Sequence, residues 1–130
     1  MAWHPALEAK LKGVTFPAWR GTHYVTFAEL LVRLGSLGLD LTWHVECDEL
    51  VDPGCAEMRR RSVGSGMSTL TLLSLATPGL RLIDAQVFGF AADELKIVLS
   101  EVDSWLWDVR TADEGILEEL RRNYPESADL

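Results

Sequence analysis

Residues 95–125, reading LKIVLSEVDSWLWDVRTADEGILEELRRNYP, constrain the fold more than any other stretch. Leu95, Ile97 and Leu99 alternate with Lys96, Val98 and Ser100, the period-2 pattern of a strand with one buried face. Trp105, Trp107 and Val109 alternate with Leu106, Asp108 and Arg110 in the same way, and large aromatic and β-branched residues suit a pleated surface. This pattern assigns both tryptophans to the core. Between the strands, Glu101-Val102-Asp103-Ser104 leaves room only for a hairpin. It lacks the Asn-Gly or Asp-Gly pair of a two-residue primed turn, so the spacing predicts a loop of about three to five residues. Thr111-Ala112-Asp113-Glu114 then reads as a capping box, with Thr111 as N-cap. Ile116, Leu117, Leu120 and Tyr124 follow at helical spacing, and Pro125 stops the helix.

The remaining chain arranges itself around this unit. Residues 5–12 read as a short helix, with Pro5 at its first position and Gly13 at its end. Val14-Thr15-Phe16 reads as an edge strand, because Pro17 cannot extend a central ladder. Residues 18–24 read as a loop. Thr26-Phe27-Ala28-Glu29 is a second capping box, opening a helix that buries Phe27, Leu30, Leu31 and Leu34 and ends at Gly35. Residues 39–50 read as a strand, with Leu41, Trp43, Val45 and Cys47 on one face and Thr42, His44, Glu46 and Asp48 on the other. Residues 51–66 form a long irregular loop or a short helix over 53–61, capped by Asp52 and carrying a Glu57–Arg61 pair. Residues 67–76 and 80–90 flank Thr77-Pro78-Gly79 and read as a β-hairpin, its second strand apolar on both faces and therefore central. Residues 126–130 read as a frayed tail. The sum is one α+β domain over residues 1–130. Its mainly antiparallel, meander-like sheet has about five strands, with two to three helices packed on one face.

Charge narrows the function. Twelve basic residues against 20 acidic ones give a net charge of −8. Nucleic acid and anionic membrane surfaces both need the opposite balance, so neither is expected as a partner. The most apolar run, residues 67–76, is too short for a bilayer that needs about 20 residues. Two cysteines, Cys47 and Cys55, make no secreted disulfide framework, so a reduced, cytoplasmic protein is expected, with Cys47 a small core residue.

No motif carries chemistry. His44-Val45-Glu46 with Pro53 and Cys55 has elements of the zinc deaminase signature, but Gly54 separates Pro53 from Cys55 and Met58 stands where a second cysteine belongs. A zinc site from His44, Cys47 and Cys55 fails because residues three apart on a strand point to opposite faces. No metal and no cofactor are expected. Gly64-Ser65-Gly66 lacks the third glycine of a phosphate loop.

Recognition residues remain. Glu101, Asp103 and Asp108 are expected as an acidic rim on the hairpin. Trp19, beside Arg20 and His23, is the tryptophan expected at the surface. Arg59, Arg60 and Arg61 form the basic cluster. Together they suggest a small acidic, non-enzymatic, protein-binding module of bacterial type. Such a module would be an inhibitor or immunity protein neutralising a basic protein partner, or a chaperone-like binder. The alternative is a small-molecule binder or small enzyme with a pocket near Trp19, His23 and His44. Oligomeric state is open.

Overall fold

The computed structural model describes residues 11–35, 40–47, 55–76 and 83–130. These residues form β1 (Lys12–Pro17), β2 (Trp19–Arg20), β3 (His23–Tyr24), α1 (Phe27–Arg33), β4 (Thr42–Glu46), α2 (Cys55–Ser62), β5 (Met67–Ser68), α3 (Thr69–Ala76), β6 (Gln86–Ala91), β7 (Glu94–Val102), β8 (Leu106–Thr111), α4 (Glu114–Asn123) and β9 (Ala128–Asp129). The helix expected over residues 5–12 lies outside the described residues except at its end, where Lys12 already opens β1.

Seven strands form one sheet in the order β5-β4-β6-β7-β8-β1-β9, and every neighbouring pair is antiparallel. The expected meander is β6-β7-β8. β4 and β1, both read as strands, flank it on its two sides, and the two-residue strands β5 and β9 bring the sheet to seven strands among the described residues. β2 and β3 form a separate hairpin where a loop was expected, turning at Gly21 with φ 63°.

One face of the sheet carries the main core. Trp43, Val45, Val87, Ile97, Leu99, Trp107, Val109, Val14 and Phe16 line it, and each of the four helices among the described residues adds to the same core: Phe27 and Leu30, Met58, Leu72, and Leu117 and Leu120. Trp43 pairs in register with Gly89, where a Cβ would stand 3.0 Å from its ring, so glycine leaves room for the indole. The buried indole N–H groups of Trp43 and Trp107 are satisfied, Trp43 donating to Thr69 Oγ1 at 2.7 Å and Trp107 to the Val25 carbonyl at 2.8 Å. The opposite face holds a smaller buried cluster of Phe88, Phe90, Leu95 and Val98. Leu95 belongs there because of a β-bulge: Gly89 pairs with Ile97 but Phe90 with Leu95, so the extra residue reverses the expected parity.

Several local expectations are corrected. Residues 69–76 are α3, not a strand. An unbroken apolar run satisfies either period, and here Thr69, Leu72 and Ala76 are buried at helical spacing while Ser68 Oγ accepts from the Thr71 N–H at 3.2 Å. The N-cap of α4 is Asp113, accepting from the Ile116 N–H at 3.1 Å. Thr111 is still in β8, and its hydroxyl donates to the Lys96 carbonyl at 2.9 Å. The cap of α1 is Thr26, as expected, accepting from the Glu29 N–H at 3.1 Å. The C-terminal residues do not fray. Ala128–Asp129 pair with β1, Asp129 bonds Arg121 at 2.9 Å, and the Leu130 N–H donates to the Gly13 carbonyl at 2.9 Å. They supply the edge expected of β1.

Cys47 and Cys55 are joined in a disulfide with their Cα atoms 6.1 Å apart, so the expected free thiols are absent. The bond ties the end of β4 to the first residue of α2. That helix carries the expected Glu57–Arg61 pair at 2.9 Å, and Glu57 also binds Arg60. The expected Asp52 cap lies outside the described residues.

Candidate functional site

The β7–β8 turn is a three-residue loop, Asp103 to Trp105, since Val102 pairs with Leu106. Asp103 and Ser104 both have positive φ, 51° and 64°, a backbone that L-residues adopt only when surroundings fix it. The fixing group is Glu101. Its side chain is on the core-facing side of β7, and the residue is 2 % exposed. It accepts from the Tyr24 hydroxyl at 2.5 Å, the Ser104 N–H at 3.0 Å and the Asp84 N–H at 3.3 Å. One buried carboxylate thus ties the hairpin tip, the segment entering β6 and the β2–β3 hairpin together. Asp84 returns a bond, accepting from the Asp103 N–H at 2.8 Å.

This scaffold presents apolar surface to solvent. Trp105 is 72 % exposed, Leu106 39 % and Trp19 38 %. They are neighbours: Pro17 pairs with Leu106, and the Ala18 N–H donates to the Trp105 carbonyl at 2.7 Å. Trp19 sits edge-on to Tyr24, with ring centroids 5.1 Å apart. Asp84 and Asp103 are exposed at the same tip. Trp105 is therefore not a core residue. It lies past the last strand pair, where strand parity no longer applies.

Beside this end is a polar network. Glu29 on α1 accepts from the Tyr124 hydroxyl at 2.6 Å and faces His23 Nε2 at 2.7 Å. Burial alone would raise the Glu29 pKa, but the bonds to Tyr124 and His23 outweigh it and hold the carboxyl below its ordinary value. Burial and the Glu29 carboxylate push the Tyr124 phenol well up. Arg20 lies over the Tyr124 ring, 5.7 Å from its centroid, and together they line a cavity of about 100 Å³ with Pro17, Pro125 and Glu126.

The other expected site residues lie elsewhere. Asp108 is mid-strand on the sheet's second face, between Ser100 and Thr15, so it is not part of a hairpin rim. Its Oδ1 and Thr15 Oγ1 are buried without a hydrogen-bond partner among the described residues. Arg59, Arg60 and Arg61 are exposed on α2, which packs on β4 far across the sheet order from β8. His23 and His44 do not share a pocket. His23 bonds α1 on the helical side, whereas His44 meets the Phe90 ring on the opposite face, at 5.4 Å between centroids. Burial lowers the His44 pKa, against the opposing pull of Ser62 and Glu46. His44 instead borders an open cleft of about 540 Å³ between β4 and α2.

Among the described residues no three His, Cys, Asp or Glu side chains gather as a metal would require, and no helix is long and apolar enough to cross a membrane. The chain matches no protein-family model, no curated protein and no solved structure.

Proposed function

We propose that this protein is an interaction module of the inhibitor or immunity type, holding a basic protein partner with the aromatic and acidic end of its sheet. The carrying observation is Trp105, 72 % exposed on a hairpin whose turn is locked from beneath by buried Glu101. A large aromatic on a rigid support loses little freedom on binding and is typical of interface anchors. Trp105, Trp19 and Leu106 give the apolar centre. Asp84 and Asp103 give an acidic margin, and lysine or arginine side chains of the partner would lie over the indole faces. A net charge of −8 steers such a partner in. Of the recognition residues expected from sequence, this reading keeps Trp19 and Asp103. Glu101 becomes the support of the surface instead of part of it. The disulfide favours an oxidising compartment over the cytoplasm.

The test is affinity capture from the native host at low salt, run in parallel with wild-type protein and Trp105→Ala. The reading requires a basic partner that weakens with added salt and loses about 30-fold or more in affinity with Trp105→Ala, the effect of a hot spot worth about 2 kcal/mol. A partner retained equally by both proteins would refute it.

A further inference from the structure

The second face of the sheet is buried, yet no described helix accounts for it. Phe88, Phe90, Leu95 and Val98 stand there, each 5 % exposed or less. The four helices among the described residues add instead to the opposite core. On the second face, Leu11, directly before β1, is the partly buried apolar residue that packs against the cluster. One leucine does not close four large side chains on a pleated sheet, whose apolar face needs a second layer to bury it. That layer has to come from residues 1–10, 36–39, 48–54 or 77–82, which lie outside the described set.

Three observations select residues 1–10. They run directly into Leu11, which already lies on the cluster. Their sequence, MAWHPALEAK, sets Trp3 and Leu7 at four-residue steps that continue to Leu11, a single apolar stripe in either a helical or an extended backbone. The third comes from His44, whose ring meets Phe90 on this face. Its pKa is lowered first by burial and next by the positive charge of the amino terminus, which brings residue 1 within electrostatic reach of β4. The length agrees. β1 and β4 are four strand spacings apart, about 19 Å at about 4.8 Å each. Ten residues reach about 15 Å as a helix and about 33 Å extended, which brackets the crossing from β1 to β4.

We propose that residues 1–10 lie across the second face as a strap, with Trp3 and Leu7 on Phe88, Phe90 and Val98, and that lifting the strap uncovers a second apolar binding face. The inference does not rest on the partner surface proposed above. The experiment is a nuclear Overhauser spectrum of the oxidised, isotopically labelled full chain, with sedimentation velocity over a range of concentrations. Contacts are expected from the Trp3 ring and the Leu7 methyls to the Val98 methyls and the Phe88 and Phe90 rings, within one copy of the chain. Leu7→Asp should abolish them and raise the fluorescence of a hydrophobic dye at least about threefold, because exposed apolar surface binds such dyes. The Ser104 and Trp105 amide shifts should stay as in the wild type, showing that the sheet is intact. Glu8→Ala, off the stripe in either backbone, should keep the contacts. Absence of contacts from residues 1–10 to Val98 in the wild type would overturn the proposal. So would a dimer in which a second copy supplies them, shown by mixing labelled and unlabelled chains.

Discussion

Removing the Glu101 carboxylate should cost far more stability than removing its charge. In Glu101→Ala the Tyr24 hydroxyl, the Ser104 N–H and the Asp84 N–H all lose their acceptor in a place where the residue was only 2 % exposed. A buried group left unpaired costs about 1–3 kcal/mol, so three lost partners imply about 4 kcal/mol after allowing for the desolvation cost that the carboxylate no longer incurs. Glu101→Gln should lose only about 1–2 kcal/mol. Its amide oxygen can still accept from the two N–H groups, and the Tyr24 hydroxyl can turn round to accept from the new NH₂. Urea unfolding followed by tryptophan fluorescence gives both values, with an unchanged denaturant slope showing that the unfolded state is the same. In thermal melts the alanine variant should fall on the order of 10–15 °C. Tyr24→Phe in a double-mutant cycle with Glu101→Ala should show a coupling of about 1–2 kcal/mol for the 2.5 Å bond. If Glu101→Ala proved neutral or stabilising, desolvation of the carboxylate would outweigh its three bonds, and the account of how the tip is held would be wrong.

Other consequences are simpler to check. Gly66→Ala should destabilise by about 2 kcal/mol or more, because φ is 86° and the added Cβ would meet the Trp43 carbonyl at 2.9 Å; a denaturation midpoint decides it. Acid should weaken the fold in two steps. The unfolded His44 takes a proton near pH 6.5 while the folded ring resists it, so stability falls as pH drops through and just below that value, and His44→Gln should flatten this step. Glu29 is depressed below its ordinary 4.5, so its contribution is present above that pH and is lost as pH falls through the lower folded value; Tyr124→Phe should shrink this second step. Reducing the disulfide, with its separation of 8 residues, should cost about 2.5 kcal/mol on a loop-closure account, and thiol titration of the denatured, unreduced protein should find no free thiol.

The fold was legible wherever a period stood alone. Alternation over β4, β7 and β8 and the spacing of α1 and α4 each allow one kind of element, and those elements formed, although β8 opens only at Leu106, α4 is capped by Asp113 and Leu95 changes face. It failed where the local signal was degenerate or was overruled at a distance. The run TLTLLSLA has apolar residues in both registers, and packing of α3 against α1, not the sequence itself, selects the helix. Leu95 obeys period 2 until the bulge beside Gly89 shifts it, and nothing in a one-strand pattern announces a partner's register. The end of the chain reads as frayed because termini rarely find partners; what holds it is the edge of β1, met by Ala128–Asp129 and by the Arg121–Asp129 pair.

The site was harder because its organising residue was read by type instead of by position. Glu101 has the same parity as Ile97 and Leu99 and pairs with Trp107, so its place in the strand pointed to the core all along. An acid in that register implies polar partners nearby, and the adjacent turn is a natural supplier, since its N–H groups lie beyond the last strand pair and need acceptors. Parity also argued for Trp105 as core, but parity holds only along a paired strand, and Leu106 is the first paired residue of β8. The two errors are linked. A carboxylate drawn inward to hold a strained turn leaves the tryptophan on that turn directed to solvent, so the burial of one and the exposure of the other follow from the same hairpin geometry.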